Sequence, residues 1–482
     1  MLNIIKKQLP VELTEEMASN LRQSLQARYN SLLHKVRLEY LSRLGLEPDS
    51  CNLTDIFKES PLILGELYLP EAGTIFYIKA KRGENLILAG VITNDEPRDT
   101  EEFFSEIRDI LAGICDKLPS WQLSPDLKPL DIEDAEVMEE PTTPEQLTAA
   151  KSLMHRDARG LLGQIKNAGS IFLNKIEYAN REVLEKLIHS FTDLGLVSLD
   201  YAVLCRRTGQ QILRVSDKAT IDESSQKAFK CFICGNQISD ELIEEVLACT
   251  DSGAKMLSNS NWLLVVVRGI LAELGIPGSA MKIYHSKGLP VQIFLSINGL
   301  HYLFVLCTEP MTLDQAYLVG AHLAAYKLNC AIVISTERIT TLMRSHLEHT
   351  SPNARFEFLD QIEDVSTRLR YIIFEQQREN LESQLKDMIC LTKVDVASLV
   401  LQRMIPIPEE LKKAVEEVQE VEQTPEVIAS TENVETAAEE LPVPEQSEVE
   451  QPEVVENGSE DSVMDVQDNG EPRQGKKGKK RH

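Results

Sequence analysis

The chain has 482 residues, 43% of them apolar and 26% charged, with a formal net charge of −26. That length is a prior for about two to four domains. The acidic balance excludes a chain that wraps nucleic acid along its whole surface, because phosphates demand positive contact faces, yet it leaves room for a locally basic module.

Half of that charge lies in residues 409–482, which hold 21 acids against 8 bases. The opening residues lack the long apolar stretch of a signal peptide, and the apolar run "WLLVVV" is too short to span a bilayer. Nine scattered cysteines, two of them in a CxxC, read as reduced thiols and a metal knuckle rather than a disulfide framework. The expectation is a cytoplasmic protein that makes no membrane contact.

Residues 1–118 are expected to form an α+β domain. Leu21, Leu25, Tyr29, Leu32, Leu33, Val36 and Tyr40 fall at helical spacing and predict one long helix ending near Gly45. Three β-rich runs follow, "PLILGELYLP", "TIFYIKAKR" and "NLILAGVIT", and then the helical "TEEFFSEIRDILAGICDKL". The order is α-β-β-β-α. Residues 119–146, rich in proline and acid, read as a linker. Residues 147–200 read as short helices leading into a strand, with Leu184, Leu187 and Ile188 on one face and Gly195 as the stop. That pattern fits a winged-helix-like unit or a plain helical connector.

Residues 201–238 hold two turns in one frame, Cys205-Arg-Arg-Thr208-Gly209 and Cys231-Phe-Ile-Cys234-Gly235. A CxxC-Gly turn aims two thiolates at one ion, and its glycine supplies a positive φ. Both glycines and the flanking strand-forming residues keep the frame, which resembles a zinc ribbon with threonine in one ligand position. Metal ligands would then be Cys205, Cys231 and Cys234, with water or a distant group such as Cys249 completing a zinc site. A ribbon-shaped fold that has lost its metal is the other reading. Arg206, Arg207, Arg214, Lys218, Lys227 and Lys230 make the segment locally basic, from phosphate contact or from compensation of thiolate charge.

Residues 239–360 are expected to form an α/β domain. "SDELIEEVLACTDSGAKML" reads as a helix and "NWLLVVVRGILAELG" as a buried one. Strand candidates follow at "SAMKIYHS", "PVQIFLSIN" and "LHYLFVLCT"; then come a helix opened by the capping box Thr312–Gln315, the buried strand "CAIVIST" and an edge strand "RFEFLD". From about Trp262 to Ser335 this α-β-β-β-α-β order resembles the restriction-endonuclease-like core, the PD-(D/E)xK superfamily. The resemblance implies a metal-binding Asp near Gln292 and a Glu-x-Lys within Val305–Thr308, and neither is present. A rival constellation, Glu66 one strand ahead of Lys79 and Lys81, reads more simply as an exposed lysine-bearing strand.

Residues 361–407 read as a long charged helix and a second, C-terminal helix. In the long helix the apolar register slips between Val365, Leu369, Ile372 and Leu381, Leu385, Met388. Residues 408–482 read as a disordered acidic tail with a basic end. No P-loop, GxGxxG, HExxH or GxSxG is present. The sequence therefore predicts a multidomain α+β and α/β protein that binds or scaffolds, in contact with nucleic acid through the basic ribbon. Partner or self-association through the 364–388 helix is the protein-protein alternative, and a metal-dependent nuclease or phosphodiesterase with relocated acids is the enzymatic one.

Overall fold

The structure is a computed structural model that describes residues 2–43, 60–70, 73–94, 100–115, 117–133, 135–137, 141–226, 229–360, 362–391 and 395–413. These all belong to the unit Met1–Thr424. A second unit, Pro425–His482, lies outside the described residues, as does the predicted acidic tail from residue 414 on. Among the described residues the architecture is mixed α+β with three sheets, and no helix there is long and apolar enough to cross a membrane.

The first sheet is antiparallel and opens with a strand the periodicity does not reveal, Asn3–Leu9 (β1). Its middle residues are all half-covered rather than alternating, so the period-2 signal is missing. Thr14 then accepts a hydrogen bond from the Met17 N–H and starts helix Glu15–Arg28 (α1). Helix Leu32–Arg43 (α2) follows, so the single long helix expected is broken.

The break has a cause in Glu66, which is fully buried on strand Leu62–Tyr68 (β2). Its carboxylate takes Arg22 of α1 at 3.1 Å, Arg37 of α2 at 3.2 Å and the Ser31 hydroxyl at 2.7 Å. A straight helix would not deliver all three, and a buried carboxylate without them is costly. Tyr29 turns to extended backbone at the break, and the Asn30 carbonyl accepts the Leu69 N–H. Strands Thr74–Lys81 (β3) and Ile87–Thr93 (β4), helix Thr100–Ala112 (α3) and the short strand Gln122–Leu123 (β5) follow. The sheet order is β2-β3-β4-β1-β5.

The predicted linker is in part a strap laid along two sheets. β5 pairs with β1, and Glu136–Val137 (β6) pairs with the edge of the six-stranded sheet, while Ile132 between them is buried beside Phe294 and Leu303. Helices Pro144–Ser152 (α4), Arg156–Ala168 (α5) and Arg181–Asp193 (α6) surround strand Ser170–Phe172 (β7). Strands Val197–Leu204 (β8) and Gln211–Val215 (β9) and helix Lys218–Gln226 (α7) lead into the second knuckle.

The segment after that knuckle corrects the sequence reading. Leu242–Cys249 is a strand (β10), not a helix, and only Asp251–Leu257 (α8) is helical, capped by Thr250. Its apolar residues Leu242, Ile243, Val246 and Leu247 fall at a helical spacing and do not alternate. Pairing decides the matter: β10 runs antiparallel to β8 from Leu242↔Leu204 to Cys249↔Val197. The resulting sheet has the order β7-β10-β8-β9.

Helix Asn261–Glu273 (α9) precedes a six-stranded sheet. Its elements are Met281–Tyr284 (β11), Val291–Ile297 (β12), Leu300–Cys307 (β13), helix Leu313–Ala325 (α10), Cys330–Ser335 (β14), helix Thr341–Thr350 (α11) and Arg355–Leu359 (β15). The sheet order is β15-β14-β13-β12-β11-β6, with β13, β14 and β15 parallel. Asn298 and Gly299 both have positive φ and make the tight β12–β13 hairpin. The Asn298 side chain accepts the Ile4 N–H and donates to the Leu2 carbonyl and Gln377.

Helix Val365–Leu385 (α12) and helix Val396–Met404 (α13) close the described fold. Val365, Leu369, Ile372 and Ile373 pack in the core of the six-stranded sheet. Leu381 and Leu385 pack instead with α13 against the first sheet. The slip in apolar register is thus the passage of one helix from one core to another.

Candidate metal centre

Two turns with the same hydrogen bonds frame the centre. In the first, the Cys205 N–H donates to the Gln210 carbonyl and the Gly209 N–H to the Cys205 carbonyl at 2.7 Å. In the second, the Cys231 N–H donates to the Asn236 carbonyl and the Gly235 N–H to the Cys231 carbonyl at 2.8 Å. Gly209 (φ 73°) and Gly235 (φ 82°) both take the left-handed backbone that lets each turn close. The Ile233 N–H also points at the Cys231 sulfur, at 3.4 Å.

The sulfurs of Cys205, Cys231 and Cys234 and a carboxylate oxygen of Glu241 all lie within 4.8 Å of one another. Among the described residues this is the only group of its kind, and it can hold a metal ion. Glu241 is the member that sequence reasoning missed. The β8–β10 register accounts for it: Leu242 pairs with Leu204, so the residue before one meets the residue after the other, and Glu241 arrives opposite Cys205. A helix over 239–257 hides that pairing. Cys249, the fourth group considered from sequence, is not in the cluster; it sits at the far end of β10, half-buried, with its thiol on the Thr250 carbonyl.

Local electrostatics differ from thiol to thiol. The Thr208 hydroxyl hydrogen-bonds the Cys205 sulfur, and this with nearby backbone N–H groups draws the Cys205 thiol down to about 7. Thr208 therefore acts on Cys205, one of the four groups that could hold an ion. Cys234 is pushed up, because its S–H donates to Glu241 at 2.8 Å. Glu241 is held low by the Arg206 N–H at 2.5 Å and then by Cys234. Cys205, Cys231 and Glu241 are all buried, whereas the apolar core of the ribbon is small: Val203, Ile221 and Ile238, with partly buried neighbours.

The predicted basic residues divide. Arg206, Arg207, Lys218 and Lys230 are exposed. Arg214 is half-buried and tied to Asp200 at 2.7 Å. Lys227 lies outside the described residues.

The six-stranded sheet presents no comparable cluster. Gln292 pairs with Val305 across β12 and β13, so the face that Gln292 shares takes Val305 and, two residues on, Cys307. α10 covers that face with Ala316, Val319 and Leu323. Gln292 is fully buried and meets His322 of α10 at 2.6 Å. Burial pushes the Cys307 thiol up to about 12, leaving it protonated and inert. Beside the first sheet Glu66 is taken by Arg22, Arg37 and Ser31, while Lys79 donates to the Gln384 carbonyl. The two do not form a site.

No family model matches the chain, and no curated protein matches it. Among solved structures it is similar to the crystal structure of protein VC1899 from Vibrio cholerae, at 11% identity and a TM-score of 0.29. That overlap covers 48% of this chain and 57% of the other, and it is too loose to assign a fold.

Proposed function

We propose that this is a non-catalytic binding or scaffold protein that contacts nucleic acid through the basic face of a zinc-holding ribbon. The observation that carries the reading is the donor set. Three thiolates and a carboxylate supply four protein ligands, which is the closed tetrahedron of a structural zinc site; a catalytic zinc keeps one position for water or substrate. Sulfur-rich donors favour zinc over the hard cations that nucleases use. When bound, the ion would neutralise the clustered thiolates and add folding free energy to a ribbon whose apolar core is small.

The six-stranded sheet supports the same reading from the other side. If its resemblance to a restriction-endonuclease-like core holds, the positions for the metal-binding acids and lysine are Gln292 and the Val305–Thr308 stretch, which offer no carboxylate and no cation. The exposed Arg206, Arg207, Lys218 and Lys230 are the groups assigned to phosphate. α12 has both of its apolar groups packed within the chain, which leaves mainly its charged face for any partner.

The test joins a metal measurement to a binding one. Purified protein should hold about one zinc per chain, and Cys231→Ser should lose it. Affinity for DNA or RNA should fall steeply with salt and weaken in Arg206→Ala/Arg207→Ala. Absence of binding at micromolar protein in low salt, or Mg²⁺- or Mn²⁺-dependent cleavage of either polymer, would overturn the reading.

A further inference from the structure

The second knuckle carries aromatic side chains that the ribbon leaves unburied. Phe232, between Cys231 and Cys234, is 77% exposed, more than any other large apolar side chain among the described residues. Phe229, two residues before Cys231, is 56% exposed. Neither has an obvious route inward. The turn is pinned by the Cys231–Asn236 and Gly235–Cys231 backbone bonds and by the Ile238 N–H on the Phe229 carbonyl, and Ile238 already occupies the small core.

The exposed charges on the two turns themselves have one sign, with Glu241 buried in the thiol cluster and Asp240 exposed just beyond the second turn. Residues 206–209 and 229–237 include Arg206, Arg207 and Lys230 and no acid, in a chain whose net charge is −26. All three cations are exposed, and the two knuckles meet where Cys205 lies within 4.8 Å of Cys231 and Cys234. An exposed ring flanked by cations matches a nucleobase face and its neighbouring phosphates. In a duplex those faces are already stacked. The exposed face of α6 does not favour a duplex either, since Glu182, Glu185 and Asp193 stand there against Arg181 and Lys186.

We infer that the paired knuckles form a binding site for unpaired bases of single-stranded nucleic acid. Phe232, with Phe229 near it in the same hairpin, stacks a base, while Arg206, Arg207 and Lys230 take the adjoining phosphates. This rests on the nucleic-acid association proposed above and names the form of the polymer and the groups that read it.

The experiment is fluorescence anisotropy on the full chain, with a labelled oligothymidylate and a duplex of equal length, across a salt series. The wild type should prefer the single strand. Phe232→Ala should weaken it by about tenfold with the salt slope unchanged. Phe232→Trp should retain affinity and Phe232→Leu should not, each compared at equal zinc content so that a disturbed ribbon is recognised. Arg206→Ala/Arg207→Ala should instead flatten the slope of log affinity against log salt by about 1.4.

If Phe232→Ala binds like the wild type while the arginine variant weakens, the ribbon touches phosphates only; the inference fails and the broader reading stands. Preference for the duplex also overturns the inference. Failure to bind either polymer overturns both. Should Phe232→Ala dissolve a self-associated species in light scattering while oligonucleotide affinity is unchanged, the ring belongs to a protein contact and the inference is wrong.

Discussion

At Glu241 a carboxylate stands beside three cysteines, and its position follows from a strand pairing rather than from a motif. The sequence shows the two glycine-bearing turns because their spacing is local; it hides Glu241 because the residue reaches Cys205 only through the β8–β10 register. Thr208, an apparent gap in the frame, turns out to hydrogen-bond Cys205. Glu241→Ala should lower zinc stoichiometry and the melting temperature of the ribbon, whereas Glu241→Cys should keep the ion; metal analysis of both proteins decides it. Glu66 makes a second residue-scale case. Glu66→Ala would leave Arg22 and Arg37 facing an emptied site and should cost about 3–5 kcal/mol in denaturant unfolding. Glu66→Leu with Arg37→Met should cost less, because the more buried cation leaves with the carboxylate and Arg22, partly exposed, keeps the Ile63 carbonyl.

Elements were legible where one period dominated. Strands β11 to β15 and the helix opened at Thr312 lie close to where their apolar runs and capping residues put them, whereas β6 lies in the stretch read as a linker. β10 was not legible, since the apolar pairs of "LIEEVLAC" are spaced as in a helix and only its partner β8 overrides them. Nor was β1, whose half-covered middle has no alternation. The slip in α12 was visible, but its meaning was not, because two cores facing one helix cannot be told from a failing coiled coil without the fold. The β12–β13 hairpin offers the element-scale prediction. At Gly299 φ is +85°, and an added Cβ would lie 2.9 Å from an Asp126 carboxylate oxygen. Gly299→Ala should therefore lose about 1–2 kcal/mol from the left-handed backbone alone, read as a lower denaturant midpoint at unchanged slope.

For the whole molecule the expected dependence is on protons and metal together. Cys234 has a raised pKa because its S–H is held by Glu241, so taking up an ion must release that proton. Metal affinity should rise with pH and fall on acidification, and a chromophoric chelator titrated at several pH values measures this directly. His301 and His322 act in the same direction on stability. Burial lowers both pKa values, so the unfolded chain binds more protons below the ordinary histidine range, and stability present above that range declines as pH falls through it. Melts of zinc-loaded protein and of protein held in chelator separate the two effects, since only the metal term disappears with chelation.

The Leu204↔Leu242 pair has a consequence for how the chain can be edited. Residues 205–241, which include both knuckles, the sheet's edge strand β9 and α7, join one end of β8 to the facing end of β10. They form a detour between two residues that are already cross-strand neighbours. Joining Leu204 to Leu242 through an Asn-Gly turn should give a shortened chain that still forms the β7–β10–β8 sheet, because a two-residue hairpin suits antiparallel neighbours and relieves the closure entropy of a long loop. Circular dichroism and thermal melting of that deletion protein would show whether the remainder folds without the excised piece. The same protein, tested for zinc and for oligonucleotide, would separate what the detour contributes from what the rest of the molecule does unaided.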